Sequence, residues 1–267
     1  MALRKHEVSG GREPSRSIAK SPSCPELIFL DAGLVLLHPD GQSIAAALAS
    51  RHGFSVSPDA CLRAYASTIR ARSFAEATGE TAESFWLSWC RAVGIPERHA
   101  SRVRRTIAAL ETGSARLWTV PDPWAHATLR GLRGLGIRLG VVSNADGELE
   151  QDLQRAGMLD YFELWIDSER EQMRKPDPRI FELALRRASA PAVACWMVGD
   201  DMVMDIDPAV RLGFGAAIHY DRFGLYGEPA GHWRVRSLYE VVALAGKARS
   251  AAGGAAPCAG PPWAGEP

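Results

Sequence analysis

Four short runs in this chain are predominantly apolar: residues 27–30 (LIFL), 137–142 (IRLGVV), 195–198 (CWMV) and 216–220 (AAIHY), with a weaker LWI at 164–166. Each ends at polar or glycine residues. A strand with one wet face alternates apolar and polar residues, whereas an unbroken apolar run buries both faces, as strands of a parallel sheet do. Apolar spacings of three and four separate these runs, at residues 123–134, 148–157, 178–188 and 208–212. Asp146–Gly147 and Asp177–Pro178 read as helix starts, the second with proline at the first helical position. Strands alternating with helices predict an α/β fold with a doubly wound parallel sheet.

One interval is too long for a single crossover. Residues 39–119 carry four amphipathic patterns, SIAAALASRHG, DACLRAYASTIRAR, AESFWLSWCRAV and PERHASRVRRTIAAL, with no competing strand signal. This predicts an all-helical inserted domain, hinged near Pro39 and near Pro121 and Pro123. The α/β core then comprises 26–38 and 120–247. Residues 1–25 are rich in Ser, Gly and charge, and 248–267 read AAGGAAPCAGPPWAGEP after a short polar start; both are expected to be disordered.

Composition removes several function classes. Basic and acidic residues balance at 31 each, so there is no electrostatic case for nucleic acid or an acidic membrane surface. No apolar run approaches the roughly 20 residues of a membrane-spanning helix. Five cysteines, Cys24, Cys61, Cys90, Cys195 and Cys258, show no metal-ligand spacing, which argues for a reducing compartment and a cytoplasmic location. The polar N-terminus has no apolar core of a secretory signal.

In an open α/β sheet, ligands bind beyond the carboxyl ends of the strands. Asp31 follows LIFL, Ser143–Asn144 follow GVV, and Gly199–Asp200–Asp201 follow WMV, with Asp205 and Asp207 close behind. A carboxylate directly after four buried apolar residues is costly unless a cation pairs with it. That cation can be a metal, a lysine or both. Lysine occurs only at positions 5, 20, 175 and 247, and Lys175 alone lies in the folded middle. A single Asp at a strand end is commonly a cap or turn former. The ordered set Asp31, Ser143, Lys175 and Asp200/Asp205 is not explained by turns.

The segments LIFLDAG, GVVSNADG, MRKPDPRIFELAL and WMVGDDMVMDIDPAVRLGF resemble, in order, the four motifs of the haloacid dehalogenase superfamily. The insert after the first motif resembles the helical cap of its commonest subclass. The resemblance implies a hydrolase of small phosphorylated metabolites that uses Mg²⁺. It implies Asp31 as the nucleophile that becomes an aspartyl phosphate. It implies Ser143 and Asn144 on the phosphoryl group, the latter through nearby backbone N–H groups and a helix N-terminus. It implies Lys175 between Asp31 and the phosphoryl oxygens, and metal binding by Asp31, the Gly33 carbonyl and Asp200, with Asp205 orienting that shell. Asp201 is a weaker candidate for the shell, and Asp207 reads as a surface or capping residue.

The chain departs from the pattern at one place. Phosphatases of the superfamily carry a second Asp two residues after the nucleophile, as acid and base; here it is Gly33, followed by Leu34–Val35 instead of Gly-Thr. Such a group contributes roughly 10²–10⁴-fold in rate. This leaves a degenerate phospho-ligand or partner-binding member as an alternative, and a metal-free 2-haloacid dehalogenase as another, the latter opposed by Gly199–Asp200–Asp201. A Schiff-base mechanism from the cap is excluded, because residues 39–120 contain no lysine. His38 and Asp40 stand near the first motif as substitute acids or as ordinary hinge residues. Trp165 and Trp196 are expected to pack the core. Trp86 and Trp89, three apart on a cap helix, are expected to pack, with one possible face toward substrate.

Overall fold

The computed structural model describes residues 23–111, 116–227 and 232–253. Strand β1 is Leu27–Leu30, followed by β2 (Leu37–Pro39) and four helices: α1 (Gly41–His52), α2 (Pro58–Thr78), α3 (Phe85–Ala92) and α4 (Ala100–Ala108). The chain then alternates through β3 (Trp118–Pro121), α5 (Ala125–Gly134), β4 (Arg138–Ser143), α6 (Leu149–Arg155), β5 (Leu164–Asp167), α7 (Ser168–Glu171) and α8 (Pro178–Ala188). It ends with β6 (Cys195–Gly199), a π-helical turn at Met202–Ile206, α9 (Asp207–Arg211), β7 (Ala216–Tyr220), β8 (Trp233–Val235) and α10 (Glu240–Ala251).

Six strands form one parallel sheet in the order β5-β4-β1-β6-β7-β8. The apolar runs fill it because both faces are covered. Side chains alternate along a strand, so Ile28 and Leu30 enter one core with α5, α6 and α10, while Leu27 and Phe29 enter another with α8 and α9. Full burial of each such side chain contributes about 1.5–3 kcal/mol. β8 escaped the sequence reading: WRV is short and carries an arginine, as an edge strand tolerates.

The four helices of the insert close on a third core, with Ile44, Leu48, Tyr65, Trp89, Val103 and Ile107 at its centre. The insert is joined to the sheet by an antiparallel pair, β2 with β3. These two strands lie where prolines marked hinges; Pro39 and Pro121 end them. Trp89 and Trp196 are fully buried, and Trp165 packs against the main core.

Two local expectations are corrected and one holds. Asp146 does not cap a helix: α6 begins at Leu149 after an uncapped Glu148. Asp177 does cap α8, accepting the Arg179 N–H at 2.9 Å. Helix α10 runs to Ala251, so the helix continues past residue 247, where a disordered tail was expected to start. Most of the expected leader, and residues 254–267 of the tail, lie outside the described residues. No helix among the described residues is long and apolar enough to cross a membrane.

Candidate active site

β1 and β6 are paired in register at the middle of the sheet, with Leu30 opposite Val198. Their next residues therefore leave the sheet side by side, Asp31 from one and Asp200 from the other. The Asp31 N–H still donates to the Val198 carbonyl at 2.9 Å, which fixes where the carboxylate emerges. After Asp200 the chain enters the π-helical turn. Asp201 caps it, its Oδ1 accepting from Val203 N–H at 2.8 Å and Met204 N–H at 3.1 Å. That turn swings Asp205 back under Gly199, and the glycine is required: a Cβ there would lie 2.3 Å from the Asp205 Cβ and Cγ.

Asp31, Asp200 and Asp205 consequently offer three carboxylate oxygens within 4.8 Å of one another. Lys175 reaches them from the loop before α8. Its Nζ is 2.6 Å from Asp205 Oδ1 and 2.8 Å from Asp31 Oδ1, and its side chain is 2% exposed. Burial alone would push the ammonium pKa down, but the attraction of Asp205 and Asp31 outweighs it and holds the charge above the ordinary lysine range. One ammonium does not neutralise three carboxylates. Burial raises Asp200 well above the usual carboxylate range, and repulsion from Asp205, Asp31 and Asp201 adds to this. Burial also lifts Asp205, to about 7, against the pull of Lys175. Asp31 Oδ1 is buried and takes no well-aligned hydrogen bond. An oxygen-only cluster short of positive charge is chemically suited to a hard divalent cation such as Mg²⁺.

These residues line the floor of a cavity of about 480 Å³ beneath the helical insert, together with Gly33, Ser143 and Asn144. Ser143 is the last residue of β4 and is buried. The amide of Asn144 faces the Lys175 backbone, accepting its N–H and donating to its carbonyl. The helix N-terminus beyond Asn144 is already occupied. Asp167, at the end of β5, accepts from Gly147 N–H at 3.1 Å and Leu149 N–H at 3.2 Å. Ala145 N–H donates to Ser168 Oγ. The expected anion site at that helix terminus is therefore spent on Asp167, an acidic residue that the weak LWI run gave no reason to single out.

Several candidates fall away from the cluster. Asp201 is committed to its cap. Asp207 begins α9 and is half-buried. Asp40 caps α1 through Ser43 N–H at 3.0 Å. His38 is buried beside Asp122 at 3.0 Å, in a group that includes Tyr220 and Arg222, and it does not border the cavity. Neither Trp86 nor Trp89 lines the cavity; Trp118 does, with Arg116 and Ile69. Arg116 is paired with Asp146 at 2.8 Å and Asp152 at 3.1 Å. Both Arg116 and Trp118 sit on the return from the insert, where apolar periodicity says nothing about direction.

Gly33 is not there for a left-handed backbone, since the positive φ, 58°, belongs to Leu34. A Cβ on Gly33 would make an ordinary contact with the Trp118 ring at 3.6 Å.

A family model described as haloacid dehalogenase-like hydrolase matches residues 34–213. Human haloacid dehalogenase-like hydrolase domain-containing protein 3 is 33% identical over 187 residues, covering 66% of this chain and 72% of that protein. The pyrimidine 5'-nucleotidase YjjG of Escherichia coli is 33% identical over 132 residues, 46% of this chain and 56% of its own. Among solved structures, the HAD-hydrolase YfnB of Bacillus subtilis, solved bound to magnesium, has the same fold. Its TM-score is 0.58 at 16% identity, over 83% of this chain and 98% of that one. The sheet order, the helical cap and the extent of these matches agree, and the chain belongs to the haloacid dehalogenase-like hydrolase family.

Proposed function

We propose that the protein is a cytoplasmic, Mg²⁺-dependent hydrolase of small phosphorylated metabolites, working through a phosphorylated Asp31. The observation that carries this reading is the carboxylate cluster Asp31, Asp200 and Asp205 around the buried Lys175, at the floor of a cavity. The likeness to a relative named as a nucleotidase supports a phosphate ester as substrate. The buried free thiols Cys61, Cys90 and Cys195 fit a reducing compartment.

Asp31, Asp200 and, through its backbone carbonyl, Gly33 would hold the metal, with Asp205 orienting the shell. When bound, Mg²⁺ would supply positive charge opposite the phosphoryl oxygens. Asp31 attacks phosphorus and displaces the ester oxygen. Lys175 keeps the nucleophile in place and offsets the charge of the arriving phosphoryl group. Ser143 donates its hydroxyl to that group. Asn144 acts on it indirectly, by holding the Lys175 backbone. Hydrolysis of the acyl phosphate regenerates Asp31.

Gly33 favours a second reading, a binder of phosphorylated ligands with little turnover. Purified protein assayed on a panel of phosphate esters, in Mg²⁺ and in EDTA, separates the two. Mg²⁺-dependent phosphate release that is lost in Asp31→Asn supports the hydrolase. Binding of phosphorylated ligands without release supports the degenerate member. Halide release from 2-haloacids in EDTA would replace both with the dehalogenase, which the acidic cluster disfavours.

A further inference from the structure

We infer that the site is selective for phosphate monoesters of aromatic alcohols, with Trp118 seating the departing ring beside Gly33. The inference rests on Asp31 being the nucleophile proposed above, and it deepens that reading by naming a substrate class.

Two observations carry it. The first is the wall above the charged floor. Leu34, Leu37, Ile69 and Trp118 line the same cavity as the Asp31 cluster and the ion-paired Arg116. The Trp118 indole lies beside Gly33, its Cζ3 3.6 Å from where a Cβ would stand. It is held from behind by Tyr65, edge-on at 5.8 Å between ring centroids. Tyr65 is itself enclosed by Phe85, Trp86 and Trp89. An indole held beside Gly33 offers an aromatic partner a stacked or edge-to-face contact.

The second is the shortage of proton donors at that point. Asp146 and Asp152 are ion-paired with Arg116, and Asp201 caps its turn. Lys175 is held between Asp31 and Asp205, Asp205 also accepts the Asp201 N–H at 3.2 Å, and Asp200 would hold the metal. His38 does not border the cavity. A leaving oxygen must then depart as an anion. A phenolic oxygen, with a pKa of about 10, does so far more readily. An aliphatic alkoxide is as basic as hydroxide, the conjugate base of water at roughly 15.7.

The chemistry balances without a further reactant except water. A bond forms between an Asp31 carboxylate oxygen and phosphorus as the phosphorus–aryl oxygen bond breaks, and its electron pair leaves on the phenolate, which solvent protonates. Water then attacks phosphorus and releases inorganic phosphate. Asp31 returns as carboxylate, and the proton of the attacking water goes to solvent. The same missing side chain leaves that water unactivated, so the second step is slow and phosphorylated enzyme accumulates.

The test compares phenyl phosphate, cyclohexyl phosphate and acetyl phosphate on the full chain in saturating Mg²⁺. Phenyl and cyclohexyl esters match in size and differ in leaving group and aromaticity; acetyl phosphate has a good leaving group and no ring. Expected is a phenyl-over-cyclohexyl preference in kcat/KM of at least about 10². Rapid-quench measurement should show a burst of about one phenol per enzyme before the steady state. Gly33→Asp should speed cyclohexyl phosphate by about 10² and abolish the burst, while Gly33→Ala, which fills the same space without an acid, keeps the preference. Trp118→Ala should raise KM for phenyl phosphate roughly three- to tenfold and leave acetyl phosphate unchanged, with Trp118→Phe restoring most of the loss. Equal rates on phenyl and cyclohexyl esters overturn the inference while the phosphohydrolase reading stands. So does indifference of folded Trp118→Ala to the ring. Absence of both phosphate release and a phosphorylated Asp31 with every ester would bring down the underlying reading instead.

Discussion

Asn144 clasps Lys175 by its backbone from both sides: Asn144 Oδ1 accepts the Lys175 N–H at 2.8 Å, and Nδ2 donates to the Lys175 carbonyl at 3.0 Å. A side chain at the end of β4 thereby sets the position of a loop 31 residues later, and with it the ammonium between Asp31 and Asp205. Asn144→Ala removes two hydrogen bonds of about 0.5–1.5 kcal/mol each. A loss of about 1–3 kcal/mol in urea denaturation is expected, together with a fall in phosphate affinity although Asn144 contributes no charge. Unchanged affinity in the folded variant would show that the clasp does not position Lys175.

Lys175 is the sole cation within ion-pair reach of the Asp31 and Asp205 carboxylates among the described residues. Lys175→Met keeps much of the bulk and removes the charge. Breaking one side of a buried ion pair costs about 3–5 kcal/mol, so denaturation at neutral pH without metal should show a loss of that size. Added Mg²⁺ should recover part of it in this variant by replacing the missing positive charge.

The carboxylates give metal binding a pH signature. Asp200 and Asp205 have folded pKa values above their unfolded ones, Asp205 at about 7. The folded, metal-free state therefore binds more protons than the unfolded state above the ordinary aspartate pKa of about 3.9. The stabilisation from these groups is complete below that value, and the share from Asp205 is lost as pH rises through about 7. Melting temperatures in EDTA should decline over this window, and Mg²⁺ should raise Tm more at pH 8 than at pH 5. A Tm increment independent of pH would mean that the cluster does not take the ion. Asp200→Ala should abolish the increment and leave the fold intact.

Gly199 tests the turn that delivers Asp205. A methyl group at this position would meet Asp205 Cβ and Cγ at 2.3 Å, atoms close to the backbone that cannot swing away. Gly199→Ala should lower stability by about 1–3 kcal/mol from overpacking and remove the Mg²⁺ increment in Tm. Retention of both would show that the π-helical turn relaxes without moving the carboxylate.

Much of this architecture was legible in the linear chain because its strands are buried on both faces. LIFL, CWMV and AAIHY correspond to β1, β6 and β7, since short, predominantly apolar runs fit strands buried on both faces. The residues just past each run were legible too, because a parallel sheet gathers all its carboxyl ends on one edge. β8 and the hinge pair β2–β3 were not, because WRV, LHP and WTVP are short and broken by polar residues or proline. Asp146 misled as a helix start because a cap is chosen by three-dimensional competition: the buried Asp167 reaches the free N–H groups of Gly147 and Leu149 from the neighbouring strand.

The sequence by itself determined the long apolar strands and the helices between them from local periodicity, and with them the positions of Asp31, Ser143 and Asp200 at or just past strand ends. It also displayed the absence of an acid at Gly33. Only the tertiary structure decided what occupies the space that absence leaves. Trp118 and Arg116 come to the cavity from the far end of the insert, and His38 turns away from it into a group with Asp122, Tyr220 and Arg222. Those placements depend on how two separately packed cores meet across β2 and β3, and side-chain direction at such a junction is set by long-range packing, which leaves no period in the chain.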